Sequence, residues 1–248
     1  MEHEHVNALE LRSVSVAFDG GQTVVSDVSL SVAHDEFVSI VGPSGCGKST
    51  LLRVASGLQD PSTGSTRSDG TRVGYVFQDP TLMPWRTVRD NAALLAELDN
   101  TDPASAESSV NAALELVGLS GHGAKYPHQL SGGMRMRTSL ARTLAIEPSL
   151  LLLDEPFGSL DELSRERLND ELLSIRNRRG FAALMVTHSV SEAVYLSDRV
   201  LVMSPSPGRV THEVEIPLGR DRNPGTRFTE TFTDTCRLVH EALRGTAQ

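Results

Sequence analysis

Gly42-Pro43-Ser44-Gly45-Cys46-Gly47-Lys48-Ser49-Thr50 fits the spacing G-x-x-x-x-G-K-[ST], whose residue types suit one task, holding phosphate. Glycines at 42, 45 and 47 let the main chain wrap an anion closely with N–H groups turned inward. A helix that follows presents its positive end to the same charge. Lys48 supplies a point charge for β- and γ-phosphates, and the Ser49 hydroxyl is placed to ligate Mg²⁺. The flanks agree: Phe37-Val38-Ser39-Ile40-Val41 is an apolar, β-rich run, and Leu51-Leu52-Arg53-Val54-Ala55 suits a helix. A nucleoside triphosphate is the expected ligand.

A second set of groups serves the same chemistry. Leu150-Leu151-Leu152-Leu153 reads as a buried strand that ends in Asp154-Glu155. A strand end delivers Asp154 rigidly to the phosphate side of a sheet, where it can hold Mg²⁺ directly or through water. Glu155, one residue further, is placed to polarise a water for in-line attack on the γ-phosphate. Leu130-Ser131-Gly132-Gly133-Met134 precedes a helical run over 135–144. By itself it admits two readings, an anion-binding nest or an ordinary N-cap with a glycine turn.

The elements that must position these groups are legible in outline. Residues 9–18 and 24–32 alternate as strands, the latter as one or two, before a turn at Ala33-His34-Asp35. A helix is expected over 48–56, short β pieces between turn signals over 60–70, and a strand over 73–77. From 87 to 119 the composition turns helical, with runs at 91–98 and 104–117, the second opening on Thr101-Asp102-Pro103. The segment 79–145 reads as an inserted helical lobe. Strands return at 150–154, 182–187 and 200–203 with helices at 160–178 and 189–197, which implies a mainly parallel sheet with helices on both faces. A tail helix is expected over 228–244.

Bulk properties exclude several classes. Of 248 residues, 32 are acidic and 23 basic, a net charge of −9, which argues against nucleic acid as a partner. The two cysteines, Cys46 and Cys236, suggest neither a disulfide framework nor a metal cluster, and a reducing cytosol is the default. No apolar run approaches the roughly 18–20 residues that span a bilayer. The opening Met1-Glu2-His3-Glu4-His5 lacks the apolar core of a secretory signal. His122, His128, His212 and His240 read as surface or packing residues, as do Glu162, Arg165, Glu166 and Arg167 on a solvated helix face. Arg176, Arg178 and Arg179 read as a solvated helix end.

The phosphate loop, Gln78, Leu130-Ser131-Gly132-Gly133-Met134, Asp154-Glu155, Ser159-Leu160-Asp161 and His188 stand in the order found in ATP-binding cassette (ABC) ATPases. Over about residues 8–210 the chain resembles that family. The resemblance implies an α/β, P-loop NTPase fold of the ABC ATPase type: a mainly parallel core sheet, an N-terminal antiparallel β subdomain and an inserted helical subdomain, within one domain over 8–248. It implies ATP and Mg²⁺ as ligands. Phe18 matches the aromatic that stacks on adenine, where relatives more often carry Tyr; a core Phe is the alternative. Gln78 matches the glutamine that reaches Mg²⁺ and the attacking water, and His188 the histidine that contacts the γ-phosphate. With Lys48 and Glu155 these make the implied catalytic set; Ser49, Gln78 and Asp154 make the implied metal set. Asp161 matches the loop that links two active sites, and Ser131, Gly132 and Gly133 match the nest that completes the ATP site of another subunit.

One copy of each motif implies a second cassette, most simply a homodimer sandwiching two ATPs head to tail. A finer resemblance is carried by Phe77-Gln78-Asp79-Pro80-Thr81-Leu82-Met83-Pro84-Trp85-Arg86-Thr87-Val88 and by Ser204-Pro205-Ser206-Pro207-Gly208-Arg209-Val210. These look like the nitrate/sulfonate/taurine branch of ABC importers, which implies integral membrane permease subunits as partners and, indirectly, a solute-binding protein. The chain would then sit peripherally on the cytoplasmic face of the membrane. Pro84 and Trp85 read as a ledge that receives a helix of a membrane subunit, or as internal packing of the lobe. A soluble non-transport ABC ATPase is the rival reading. Three departures from the pattern are noted: Met136 near the ribose of the partner's ATP, Asp35 in place of a turn glycine, and Ser159 where Ala is common.

Overall fold

A computed structural model describes residues 7–246 apart from Asp19, Gly70, Thr71 and Ser159. Ser159 and residues 1–5, both read above, lie outside the described residues. The chain starts with two long strands, β1 (Asn7–Ala17) and β2 (Thr23–Ala33), then β3 (Phe37–Val41), α1 (Lys48–Ala55), β4 (Thr63–Ser68) and β5 (Val73–Val76). Three helices follow: α2 (Val88–Leu98), α3 (Pro103–Leu116) and α4 (Gly132–Leu144). The β rhythm resumes with β6 (Leu150–Asp154), α5 (Glu162–Arg179), β7 (Ala182–Thr187), α6 (Val190–Leu196), β8 (Arg199–Met203) and β9 (Val210–Glu215). Helix α7 (Glu230–Gly245) closes the described chain.

The central sheet has the order β5-β6-β7-β3-β8-β9, parallel except for the last pair. A separate antiparallel sheet has the order β2-β1-β4. Strands β3, β6 and β7 are buried at every position, as both faces of a parallel sheet are covered. The period of two then divides the core. Leu150 and Leu152 pack with Val38, Ile40, Leu184, helix α1 and the antiparallel sheet. Leu151 and Leu153 face the other way, toward Ala183, Met185 and apolar residues of α4 to α7. A leucine buried like these contributes about 2–5 kcal/mol, measured as its loss to alanine.

The lobe formed by α2, α3 and α4 is fixed by caps and by one buried amide. Helix α2 begins at Val88, earlier than expected, because Thr87 and Asp90 form a capping box and Val88 is buried. Helix α3 opens as expected on Asp102 and Pro103. Asn91 is fully buried and straps the preceding loop: its Oδ1 accepts from Met83 N at 2.8 Å, and its Nδ2 donates to the carbonyls of Met83, Arg86 and Thr87. Arg142 of α4 is buried with no carboxylate partner among the described residues. It donates instead to the carbonyls of Pro80 and Thr81, at 3.0 and 3.1 Å.

Some expectations are corrected. Met136 is 2% exposed and belongs to the core: the α4 face that carries it packs inward with Leu140. Arg176 is buried rather than solvated, paired with Asp198 and lying 5.7 Å over the Phe37 ring, because the end of α5 packs on the start of β3. Arg165 is half-buried, not on a solvated face, and pairs with Glu192 at 3.2 Å. Residues 23–33 form one strand. Strand β9 was not foreseen, since it is an edge strand with no buried position. Asp35 does adopt the left-handed turn, with φ +63°.

Candidate functional site

Strand β3 ends at Val41 and the chain turns through Gly42–Gly47 into α1, so the loop sits at the C-terminal edge of the parallel sheet. Gly45 and Gly47 have φ of +77° and +98°, a region that favours glycine. A Cβ on Gly47 would lie 2.7 Å from a Val25 methyl, so the loop is also fixed from below. Gly47 caps α1 without a side chain, which leaves the first-turn amides free for an anion. Lys48 is only 5% exposed, and its Nζ donates to the carbonyls of Gly42 and Pro43 at 2.8 and 3.0 Å. An ammonium has three N–H donors, so one remains for a phosphate oxygen. The Cys46 side chain is buried, and burial pushes its thiol up. Gly208 supports Cys46 from the opposite side: a Cβ there would lie 2.0 Å from the Cys46 carbonyl oxygen.

The sheet then brings the expected carboxylates to this loop. Ser49 Oγ donates to Asp154 Oδ1 at 2.7 Å across 105 residues of sequence. This pair of oxygen donors fits a hard cation such as Mg²⁺, which takes oxygen ligands and keeps several waters. Asp154 Oδ2 accepts from the Tyr75 hydroxyl at 3.1 Å. Burial, then the Asp154 charge, pushes the Tyr75 phenol well above its ordinary value. Glu155 has φ +42°, unusual for a residue with a side chain, and is held there by its N–H bond to Val186 O at 3.0 Å. Its Oε2 meets both His188 Nδ1 at 3.1 Å and Gln78 Nε2 at 3.4 Å. Lys48, Ser49, Asp154, Glu155, Gln78 and His188 thus lie along one edge of the sheet, at the ends of β3, β5, β6 and β7. Thr50 is buried in the first turn of α1.

Three other expected residues or groups do not join this set by any hydrogen bond or ion pair among the described residues. Phe18 follows β1 and is 48% exposed, which sets aside the reading of it as a core residue. Ser131 is the N-cap of α4, accepting from Met134 N at 3.2 Å, and Gly132 and Gly133 form the first turn. The helix therefore begins three residues before the expected 135. Asp161 caps α5, and the hydrogen bonds from Ser164 hold its carboxyl below the usual range.

Sequence reasoning missed Tyr75, which occupies an ordinary strand position with no motif to mark it. It also missed Glu192, a buried acid whose Oε2 accepts from Thr187 Oγ1 at 2.7 Å, next to His188. Burial pushes Glu192 up in pKa, with Thr187 and Arg165 opposing. Beside the site lies a groove of about 430 Å³ whose wall includes Leu58, Tyr75, Phe77, Met83, Leu94 and Leu95. Trp85 is 71% exposed and is not internal packing of the lobe. No described helix is long and apolar enough to cross a membrane.

Residues 25–158 match the family described as ABC transporter. The chain is 45% identical over 212 residues to an aliphatic sulfonates import ATP-binding protein of Burkholderia cenocepacia, covering 82% of this chain and 77% of that one. It is also 45% identical over 217 residues to a nitrate import ATP-binding protein of Synechococcus elongatus, covering 82% of this chain and 33% of that longer one. Among solved structures, a dimeric post-hydrolysis state of the ATP-binding cassette MJ0796 bound to ADP and Pi superposes with a TM-score of 0.76. The sequence identity there is 26%, covering 85% of this chain and all of that one.

Proposed function

The chain belongs to the ABC transporter ATP-binding family, in its nitrate/sulfonate/taurine importer branch, and from that premise we propose that it is the ATP-hydrolysing subunit of an import complex for a small solute of that type. The observation that carries the reading is the convergence of Gln78 and His188 on one oxygen of Glu155, beside the Ser49–Asp154 pair. In this reading residues 8–248 act as one ABC ATPase domain.

Each group has a distinct task. The amides of 42–50 and the Lys48 ammonium bind and orient the ATP phosphates. Ser49, Asp154 and Gln78 would hold Mg²⁺, which would neutralise charge on the phosphate oxygens. Glu155 orients the attacking water and takes its proton at Oε1, while His188 and Gln78, both on Oε2, hold that carboxylate toward the phosphate side. Phe18 offers its exposed face to adenine. Ser131, Gly132 and Gly133 close over the ATP of a second copy, with Asp161 at the seam between the two sites. The groove beside Tyr75 and the exposed Trp85 receive a helix of a permease subunit, and the solute itself never meets this chain.

Replacing Glu155 by Gln tests the reading. Phosphate release is expected to fall roughly 10²- to 10⁴-fold, the contribution of a positioned general base. With ATP present, light scattering should give twice the monomer mass, and Lys48→Ala, expected to lose ATP binding, should stay monomeric. A Glu155→Gln chain that binds ATP and stays strictly monomeric would refute the sandwich.

A further inference from the structure

We infer that Tyr75 is a positioning residue for the metal carboxylate, fixing Asp154 through its outer oxygen, and that it does so from the wall of the surface groove. The inference rests on the nucleotide-site reading above and adds to it a group that no motif marks. Asp154 ends strand β6, and its two oxygens have two separate donors: Ser49 Oγ on Oδ1 at 2.7 Å and the Tyr75 hydroxyl on Oδ2 at 3.1 Å. A carboxylate bonded at one oxygen can still turn about its terminal torsion, which is broad for aspartate. Bonded at both, its plane is set. Ser49 keeps its lone pairs for a cation while donating its proton, so the pair is ready for an ion only if the carboxylate stays turned toward it.

The tyrosine is itself well held. Its backbone pairs with Leu152 in the parallel register of β5 and β6, and its carbonyl accepts from Thr143 Oγ1 of α4 at 3.3 Å. Its ring packs against Phe77 with centroids 4.3 Å apart. Both rings line the groove beside Leu58 and Leu94. One face of the same side chain therefore meets whatever fills the groove, while its hydroxyl meets Asp154. A group that hydrogen-bonds a ligating carboxylate typically changes metal affinity or activity by about 10- to 100-fold when removed.

The test uses the full chain carrying Glu155→Gln, so that binding is read without turnover. ATP affinity is measured by calorimetry across a Mg²⁺ titration and again in EDTA. Adding Tyr75→Phe, which keeps the ring, should raise the Mg²⁺ needed for half-maximal tightening about tenfold. Affinity in EDTA should change less than about twofold. Phe77→Leu, which disturbs the groove wall but leaves the hydroxyl, should leave the Mg²⁺ dependence in place. An unchanged Mg²⁺ dependence in Tyr75→Phe, or an equal loss with and without Mg²⁺, overturns the role of Tyr75 while leaving the nucleotide reading intact. A Glu155→Gln parent that binds no ATP at all overturns both.

Discussion

The phosphate loop and the start of α4 are both glycine-rich helix entries, yet they are built in opposite ways. Around Gly47 the packing is tight: its Cβ position is filled by Val24 and Val25, Lys48 is tied to two carbonyls, and Gly208 backs Cys46. Around Gly133 there is open space, with no heavy atom within 4 Å of a Cβ placed there, and the Ser131 hydroxyl makes only a capping bond among the described residues. The first is a finished half-site. The second leaves its helix end open, which is the access that the proposed two-copy site requires. The lesson is that the same residue types mean rigidity in one place and access in the other, and that the packing decides which.

The sharpest way to break this contrast is Gly133→Ala. A methyl fits there in the isolated chain and alanine favours helix, so stability should hold or rise, by up to about 1 kcal/mol. If the open turn must close on a partner's phosphate, steady-state ATP hydrolysis should nevertheless fall by about 10²-fold, as when a single transition-state donor is removed. Full hydrolysis in a well-folded Gly133→Ala chain would mean the nest is idle. Gly47→Ala should behave in the reverse way. Its Cβ meets Val25 at 2.7 Å and its φ is positive, so the chain itself should lose about 1–3 kcal/mol in a denaturant titration, before nucleotide is considered. The smallest effect is chemical. Burial raises the thiols of both Cys46 and Cys236, the latter to about 11, so iodoacetamide at pH 8 should leave the native chain unlabelled. The urea-unfolded chain should take up two groups. Rapid native labelling of Cys46 would show that the loop opens, and the contrast would fail.

How much of this was readable beforehand follows the range of the interactions. The loop at 42–50, the strand ending at Asp154 and the parallel sheet are written in contiguous residues, and so the sequence places them. Arg176 and Arg165 depart from a solvated face because their partners lie on other elements: Arg176 is buried by Asp198, 22 residues on, and by Phe37. Helix α2 opens before its apolar spacing predicts because the Thr87–Asp90 box fixes its start. Tyr75 stayed hidden because one hydroxyl 79 residues from its acceptor leaves no pattern.

Arg142 has a mechanical consequence. A buried guanidinium with carbonyls for its main partners cannot let go of them without stranding its charge, so Pro80 and Thr81 must travel wherever α4 travels. Asn91 clamps the other end of the same loop to α2. If the proposed permease helix docks at Trp85, a push there would meet no slack connection. It would pass along a helix of 13 residues, a stiff lever roughly 20 Å long, whose far tip is Ser131.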